Sequence, residues 1–334
     1  GSVSQRMAVP SRLQYVGKGK LQEILELKSR LNYDLLICDD ELSPRQQLSL
    51  EGALDVRVID RTALILDIFA RQARTKEGKL QVELAQHRYL LPRLVGRWQH
   101  LERLGGGIGT RGPGESQLET DRRLIRQRIK RLEDELEGVR QHREVYRQRR
   151  RSEGVPLVAL VGYTNAGKST LFNTLSRAGV TAEDKLFSTL DPVTRRIRLP
   201  GEVPVLITDT VGFIHKLPHS IVAAFRTTLE EIGEADVLLH VVDITHRDAA
   251  RQHATVEHIL AELGLSQRPI VTALNKVDLL GQAGSGEDLA AVRDRLELSR
   301  PDFVPVSATT GWNLNELMER VAVTVRASSR SPAE

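Results

Sequence analysis

The sequence predicts an α/β protein in three parts. An N-terminal α/β domain with a parallel sheet is expected over 1–104 and a glycine-rich loop with a basic helical hairpin over 105–152. A phosphate-loop domain follows over 153–330, with a doubly wound mixed sheet flanked by helices. Three observations carry this. Short β-branched apolar runs alternate with stretches of helical spacing toward both ends of the chain, as strands joined by helical crossovers do. One such run, Val155 to Val161, leads into Gly162-Tyr163-Thr164-Asn165-Ala166-Gly167-Lys168-Ser169, after which Leu171, Leu175 and Ala178 continue at helical spacing. Between the two ends, Gly105 to Glu115 holds six glycines in eleven residues and precedes an arginine-rich stretch with heptad spacing.

In the N-terminal part, a helix around Lys20 to Leu31 leads into a strand at Tyr33 to Cys38. Ser43-Pro44 opens a second helix, with serine as cap and proline at the first helical position. A strand at Val56 to Ile59 precedes a helix from Thr62 to Arg71. A longer helical run carries Leu80, Leu84, Tyr89, Leu91, Leu94 and Trp98, with a kink expected at Pro92. No strand precedes Tyr15, so the domain is expected to lack its first βα unit.

The segment Gly105 to Glu115 is too rich in glycine for helix or strand. Arg111 and Glu115, set between glycines and a proline, suit a loop that closely approaches a backbone or a ligand rather than a plain linker. From Ser116 to Arg151 the chain reads as helical. Leu118, Ile125, Leu132, Val139 and Tyr146 recur every seven residues, with Ile129 and Leu136 between them. Gly138 permits either a bend into an antiparallel pair or one long helix weakened locally. Arg122 to Arg151 holds 12 Lys/Arg against 5 Asp/Glu, an excess of +7 in a chain of net charge +4, which leaves −3 for the remainder. Such concentration points to a polyanion, with RNA phosphates the natural candidate. Gly106, Gly107, Gly109, Arg111, Gly112, Gly114, Arg122, Arg123 and Arg126 are the candidate RNA contacts. Little aromatic character is interleaved, so stacking on single-stranded bases is not expected.

Strand, glycine-rich loop and helix together aim backbone N–H groups and a helix N-terminus at phosphate oxygens. Three further boxes follow in order, each after a strand-like run. Asp209-Thr210-Val211-Gly212 places a carboxylate where it can hold a magnesium-bound water. Asn275-Lys276-Val277-Asp278 places a carboxylate able to accept both the ring N–H and the exocyclic amine of guanine. Ser307-Ala308, with Thr309 next, offers a backbone contact to the guanine carbonyl. One box alone would be weak; four in order read as a guanine-nucleotide site for GTP or GDP.

Within it, Gly162 and Gly167 allow close approach and Lys168 brings a point charge to the β- and γ-phosphates. Ser169 offers its hydroxyl to Mg2+, and Thr170 continues the loop. A second magnesium hydroxyl is expected from the loop Thr181 to Thr194, which includes Phe187, Ser188, Thr189, Leu190 and Asp191; Thr181, Thr189 and Thr194 are candidates that spacing does not separate. Lys168, Thr189, Asp209 and Gly212 are the candidate catalytic residues. Phe213 stands where Ras-like enzymes place a water-orienting glutamine. An apolar ring cannot orient water, so slow intrinsic hydrolysis raised by a partner is expected, with His215 nearby as a possible substitute.

Composition excludes other classes. Hydrophobic residues at 40% support cores, and aromatics at only 4% mean those cores rest on Leu, Val, Ile and Ala. A lone cysteine, Cys38, rules out intrachain disulfides and fits a reducing compartment. No apolar run approaches the roughly 18 residues of a membrane span, and no signal sequence opens the chain; a soluble, cytoplasmic monomer is expected. A switch of the Ras type, with a protein effector and a dimerising coiled coil, is the alternative reading.

The chain resembles the HflX GTPases, a ribosome-associated branch of the translation-factor-like GTPases close to the Obg proteins. The residues that carry the likeness run nearly end to end: Tyr15-Val16-Gly17-Lys18-Gly19-Lys20, Val58-Ile59-Asp60-Arg61-Thr62, Leu66 to Ala70, Gly78 to Gln86, Gly106 to Gly109, Arg111 to Glu115, Gln117 to Asp121, the phosphate loop, Phe187 to Asp191, and Asp209 to Phe213. The resemblance implies an N-terminal α/β domain, a helical hairpin and a G domain. It implies binding to the large ribosomal subunit, ribosome-stimulated GTP hydrolysis, and a role in splitting or rescuing ribosomes under stress, or in their biogenesis. It also implies that Ser169 and Thr189 supply the magnesium hydroxyls and that Gly105 to Arg151 reaches ribosomal RNA. Some relatives carry a further C-terminal domain.

Overall fold

The computed structural model describes residues 1–6, 9–94, 113–177, 189–216, 221, 226–280 and 303–328. The chain divides into two compact units. One comprises Gly1–Arg71, Lys79–Glu137 and Pro218–Ala224; the other comprises Gln72–Gly78, Gly138–Leu217 and Phe225–Glu334.

The first unit begins with α1 (Lys18–Leu31), β1 (Leu35–Cys38), α2 (Pro44–Leu54), β2 (Arg57–Asp60) and α3 (Arg61–Gln72). The strands pair in parallel, Leu36 beside Val58 and Cys38 beside Asp60. Leu21 and Ile24 of α1, Leu50 and Leu54 of α2, Leu42 and Val58 form its core. The Ser43 signal acts as expected: its side chain accepts from Gln46 N, and Gln46 returns the bond in a capping box, with Pro44 at the start of the helix. Cys38 is half-buried, and burial first, then the nearby Asp60 and Asp40, push its thiol up to about 11, so it is not nucleophilic at neutral pH.

Helix α4 (Lys76–Leu90) ends just before Pro92, and Leu91–Arg93 form a single 3-10 turn, which is the break that proline dictates. Trp98 lies outside the described residues. The arginine-rich stretch is α5 (Pro113–Glu153), one helix of 41 residues. This corrects the hairpin expected inside 105–152. Helical hydrogen bonding continues through Gly138, because one glycine costs only about 1 kcal/mol in a helix whose neighbours are strong helix formers. The packing partner of α5 is α4: Leu80 and Leu84 close on Ile129, Leu132 and Leu136, and Leu132 is fully buried. Arg128 grips Glu83 with two bonds of 2.8 and 2.9 Å, and Arg88 meets Glu133 at 2.5 Å.

The second unit is built on a six-stranded sheet. Its strands are β3 (Leu157–Gly162), β4 (Val193–Leu199), β5 (Val203–Asp209), β6 (Val237–Asp243), β7 (Ile270–Asn275) and β8 (Phe303–Pro305), in the order β4-β5-β3-β6-β7-β8. Among the described strands only β4 is antiparallel, paired along β5 at the edge. β3 and β6 are buried at every position, as strands covered on both faces must be. The described helices are α6 (Lys168–Ser176), α7 (Arg226–Gly233), α8 (Ala249–Glu262) and α9 (Leu314–Ser328). Phe172 of α6 and Leu317, Val321 and Val325 of α9 pack with Val158, Leu160, Val205, Ile207 and Val241. Successive crossovers leave β3 on opposite sides, toward β5 and toward β6. The carboxyl end of β3 is therefore a switch point, where sheets of this kind hold ligands. No described helix is long and apolar enough to cross a membrane.

Candidate functional site

Register brings the candidate residues to one edge of the sheet. Leu160 on β3 lies beside Asp209 on β5, Gly162 beside Val241 on β6, and Asp243 on β6 beside Asn275 on β7. The strands thus end together, and the loops that leave them converge.

The loop Gly162 to Ser169 wraps the end of β3 and enters α6 at Lys168. Gly167 caps that helix with φ +94°, and a Cβ there would overlap Asn275 Nδ2, so both its backbone and its surroundings demand glycine. Lys168 is buried and donates to the carbonyls of Gly162 at 3.1 Å and Tyr163 at 2.9 Å. Burial lowers its ammonium to about 8, against the opposing pull of Asp209. Such a desolvated cation gains strongly from phosphate oxygens. Asn165 is exposed, Ala166 is buried and Thr170 lies partly buried in the first turn of α6. Phe213 N donates to Gly162 O at 3.0 Å, and Thr164 N donates to Phe213 O at 2.8 Å. These bonds lace Val211 and Gly212 against the loop.

Three oxygens meet behind it. Ser169 Oγ and Thr189 Oγ1 each lie 2.7 Å from Asp209 Oδ2 and 2.7 Å from one another. All three residues are buried, and Asp209 Oδ1 is buried without a hydrogen-bond partner among the described residues. Burial raises the Asp209 carboxyl above its usual range, while Ser169, Lys168, Thr189 and the Thr210 backbone pull it back. An all-oxygen set with an orphaned carboxylate oxygen suits a hard divalent cation. Two ligands at about 2.1 Å in octahedral geometry stand roughly 3 Å apart, close to the observed hydroxyl separation. Of the threonines that spacing left open, Thr189 joins this cluster, Thr194 on β4 pairs with Thr208 at 3.1 Å, and Thr181 lies outside the described residues.

On the other side, Asn275 ties two loops together. Its Nδ2 donates to Ala166 O at 2.9 Å, and its Oδ1 accepts Ala308 N–H at 2.9 Å. Lys276 takes a left-handed backbone and meets Asp243 at 2.7 Å, while Val277 and exposed Asp278 lie on the turn that follows. Ser307 and Ala308 are buried and Thr309 is exposed. Asp243, which also accepts from the Thr245 backbone and hydroxyl, was not singled out from sequence. It stands at the end of an apolar run, the same signal that located Asp209.

Phe213 is buried at 2% exposure. His215 N donates to the hydroxyl of Tyr163 in the phosphate loop at 3.1 Å, and the His215 ring meets Arg251 at 3.0 Å. Leu190 is buried, and the Asp191 side chain turns away from the loop to Arg74 and Thr75. Phe187 and Ser188 lie outside the described residues, as do Gly106, Gly107, Gly109, Arg111 and Gly112. Gly114 sits in the first turn of α5. Arg123 and Arg126 are exposed on that helix and Arg122 is half-buried.

Family models match along the chain in three stretches. A GTP-binding GTPase N-terminal model covers residues 1–70, a GTP-binding GTPase middle-region model covers 72–150, and one described as 50S ribosome-binding GTPase covers 157–276. The GTPase HflX of Lacrimispora saccharolytica is 53% identical over 312 residues, 93% of this chain and 72% of the relative. The GTPase HflX of Escherichia coli is 49% identical over 319 residues, 96% of this chain and 73% of the relative. Among solved structures, a GTP-binding protein from the archaeon Sulfolobus solfataricus in complex with GDP is 28% identical, with a TM-score of 0.52 over 96% of this chain and 89% of its own. Fold, site and relatives define a P-loop GTPase, which binds GTP and GDP and hydrolyses GTP. The chain belongs to the HflX family of GTPases.

Proposed function

We propose that this GTPase couples GTP binding and hydrolysis to engagement of the large ribosomal subunit, and so to the splitting, rescue or biogenesis of ribosomes. It would do so in the cytoplasm as a monomer. In this reading the backbone of Gly162 to Thr170 cradles the phosphates and Lys168 neutralises charge on the β- and γ-groups. Ser169 and Thr189 would hold Mg2+ directly and Asp209 through water, and the ion would supply charge neutralisation across the transferred phosphoryl group. Asp278 reads guanine, Asn275 holds the two loops in register, and Ser307 to Thr309 close over the base.

The observation that carries the coupling is Phe213. The ring that replaces the water-orienting glutamine is buried, with its backbone bonded to Gly162 and Thr164. The group that arranges the attacking water must then come from elsewhere, which makes hydrolysis slow alone and open to stimulation. The partner's chemistry is read from α5, where Arg123 and Arg126 stand exposed while Arg128 and Arg143 are engaged by Glu83, Glu77 and Glu231. Exposed guanidiniums that follow a glycine-rich sequence suit RNA phosphates. Against a dimerising coiled coil stands the middle of the seam, where Ile129, Leu132 and Leu136 are covered by Leu80 and Leu84 of the same chain. The test is the GTPase rate with and without large subunits, at two salt concentrations. Salt-sensitive stimulation is expected; an unchanged rate would sink the coupling.

A further inference from the structure

Asp191 follows Thr189 by two residues, yet its carboxylate serves another element. Its Oδ2 accepts the N–H groups of Arg74 at 3.0 Å and Thr75 at 2.8 Å, and the Thr75 hydroxyl donates to Oδ1. Thr75 Oγ1 in turn accepts from Gly78 N at 3.0 Å. The N-terminus of α4 is thus capped by a threonine and, through it, by a carboxylate from the segment that carries Thr189. Both are groups that satisfy orphan helix donors and suit the positive end of the helix dipole. A Cβ on Gly78 would overlap Asp191 Oδ1, so glycine makes room for the carboxylate. The next residue of the same turn, Glu77, is held by Arg143 at 2.6 Å, and Arg143 also meets Glu231 of α7 at 2.7 Å. Gln72–Gly78 belongs to the same compact unit as every one of these partners.

We propose that this junction couples nucleotide state to α4: Asp191 is a positioning residue that keeps Thr189 on Ser169 and Asp209 while its carboxylate caps the helix, and the cap is made in the GTP state and released in the GDP state. The inference rests on the reading of Thr189 as a magnesium hydroxyl. Its physical basis is reach. Two residues span at most roughly 7 Å, and Leu190 between them is buried at 2% exposure. Withdrawal of Thr189 by a few ångströms therefore drags Asp191 beyond hydrogen-bond distance of Thr75. By the same constraint, a firmly seated cap holds Thr189 in place for the metal. The first turn of the helix that packs on α5 is in this way tied to a residue of the nucleotide site.

The experiment compares the full chain with Asp191→Asn, Thr75→Val, Thr75→Ser and the double variant Asp191→Asn/Thr75→Val. Affinities for a non-hydrolysable GTP analogue with magnesium and for GDP are measured, together with amide exchange at Arg74 and Thr75. Loss of a charged cap predicts a fall of roughly 5–30-fold in analogue affinity, with GDP affinity unchanged. The double variant should be no weaker than either single, and Thr75→Ser should restore the wild-type ratio. The two amides should exchange more slowly with the analogue than with GDP, and Asp191→Asn should abolish that difference. Equal losses for both nucleotides would reduce Asp191 to fold support, and equal exchange in both nucleotide states of the wild type would overturn the coupling. Should Thr189→Ala keep its magnesium-dependent preference for the analogue, the metal reading of Thr189 fails, while amide exchange still decides whether α4 senses the nucleotide.

Discussion

Asn275 offers a direct test of how the site is held together before any nucleotide arrives. The side chain is 2% exposed and makes two bonds of 2.9 Å, one to Ala166 O and one from Ala308 N. Asn275→Ala removes both and strands a carbonyl and an N–H in a largely dry setting. A hydrogen bond contributes about 1 kcal/mol net and an orphaned buried group costs about 1–3 kcal/mol. Access of water from the open side of the loops brings the expected loss to about 2–4 kcal/mol. The assay is urea unfolding without nucleotide, following the transition that GDP moves to higher urea, since only the unit that binds ligand is stabilised by it. At slopes of about 2–3 kcal/mol per molar, the midpoint should fall by roughly 1 M with the slope unchanged. Asn275→Asp should do no better than alanine, because it keeps the acceptor for Ala308 but sets a second oxygen against Ala166 O. A midpoint shift below about 0.2 M for alanine, or recovery by aspartate, would refute the bridging role.

Other outcomes follow from the same geometry. Asp278→Asn should move base preference from guanine toward xanthine by exchanging an acceptor for a donor, read as a competition between GTP and xanthosine triphosphate; retained GTP preference would contradict the assignment. His240 is buried on β6 and stacks on His253 at 5.0 Å between ring centroids. Burial first, then the charges of His253 and Lys168, hold its imidazole well below the ordinary range. An unfolded histidine titrates near pH 6.5, so the stability that depends on neutral His240 is fully present above roughly that pH. It is lost as pH falls toward the folded value, by up to about 1.4 kcal/mol per pH unit. Urea titrations between pH 7 and 5 should show that slope in the wild type and a flatter one in His240→Leu; equal slopes would remove His240 as the cause.

Some features were legible because their causes are local in the chain. Ser43 and Pro44 specify a helix start through atoms within three residues, and the capping box with Gln46 is there. An uninterrupted apolar run marks a strand buried on both faces, and β3 is buried throughout. Glycine, lysine and serine at fixed offsets set the phosphate loop for the same reason: its geometry is a property of eight consecutive residues. Gly138 was the ambiguous case. A single glycine weakens a helix without deciding whether the chain turns back there; α5 continues as helix through it, and Ile129, Leu132 and Leu136 pack against α4, residues some fifty positions away in the chain.

By itself the sequence determined the strand and helix types, the guanine-nucleotide boxes and the concentration of positive charge between Arg122 and Arg151, since each depends on residue type and short-range spacing. Tertiary structure brought Thr189 to Ser169 and Asp209, where spacing left three threonines open and only the family resemblance pointed to one. It also decided that Lys276 pairs with Asp243, that arginines of α5 split between ion pairs and open surface, and that Asp191 caps α4 through Thr75. These are contacts between residues 20 to more than 100 positions apart. A carboxylate's partner at such separation is set by strand order and register, which no local pattern encodes.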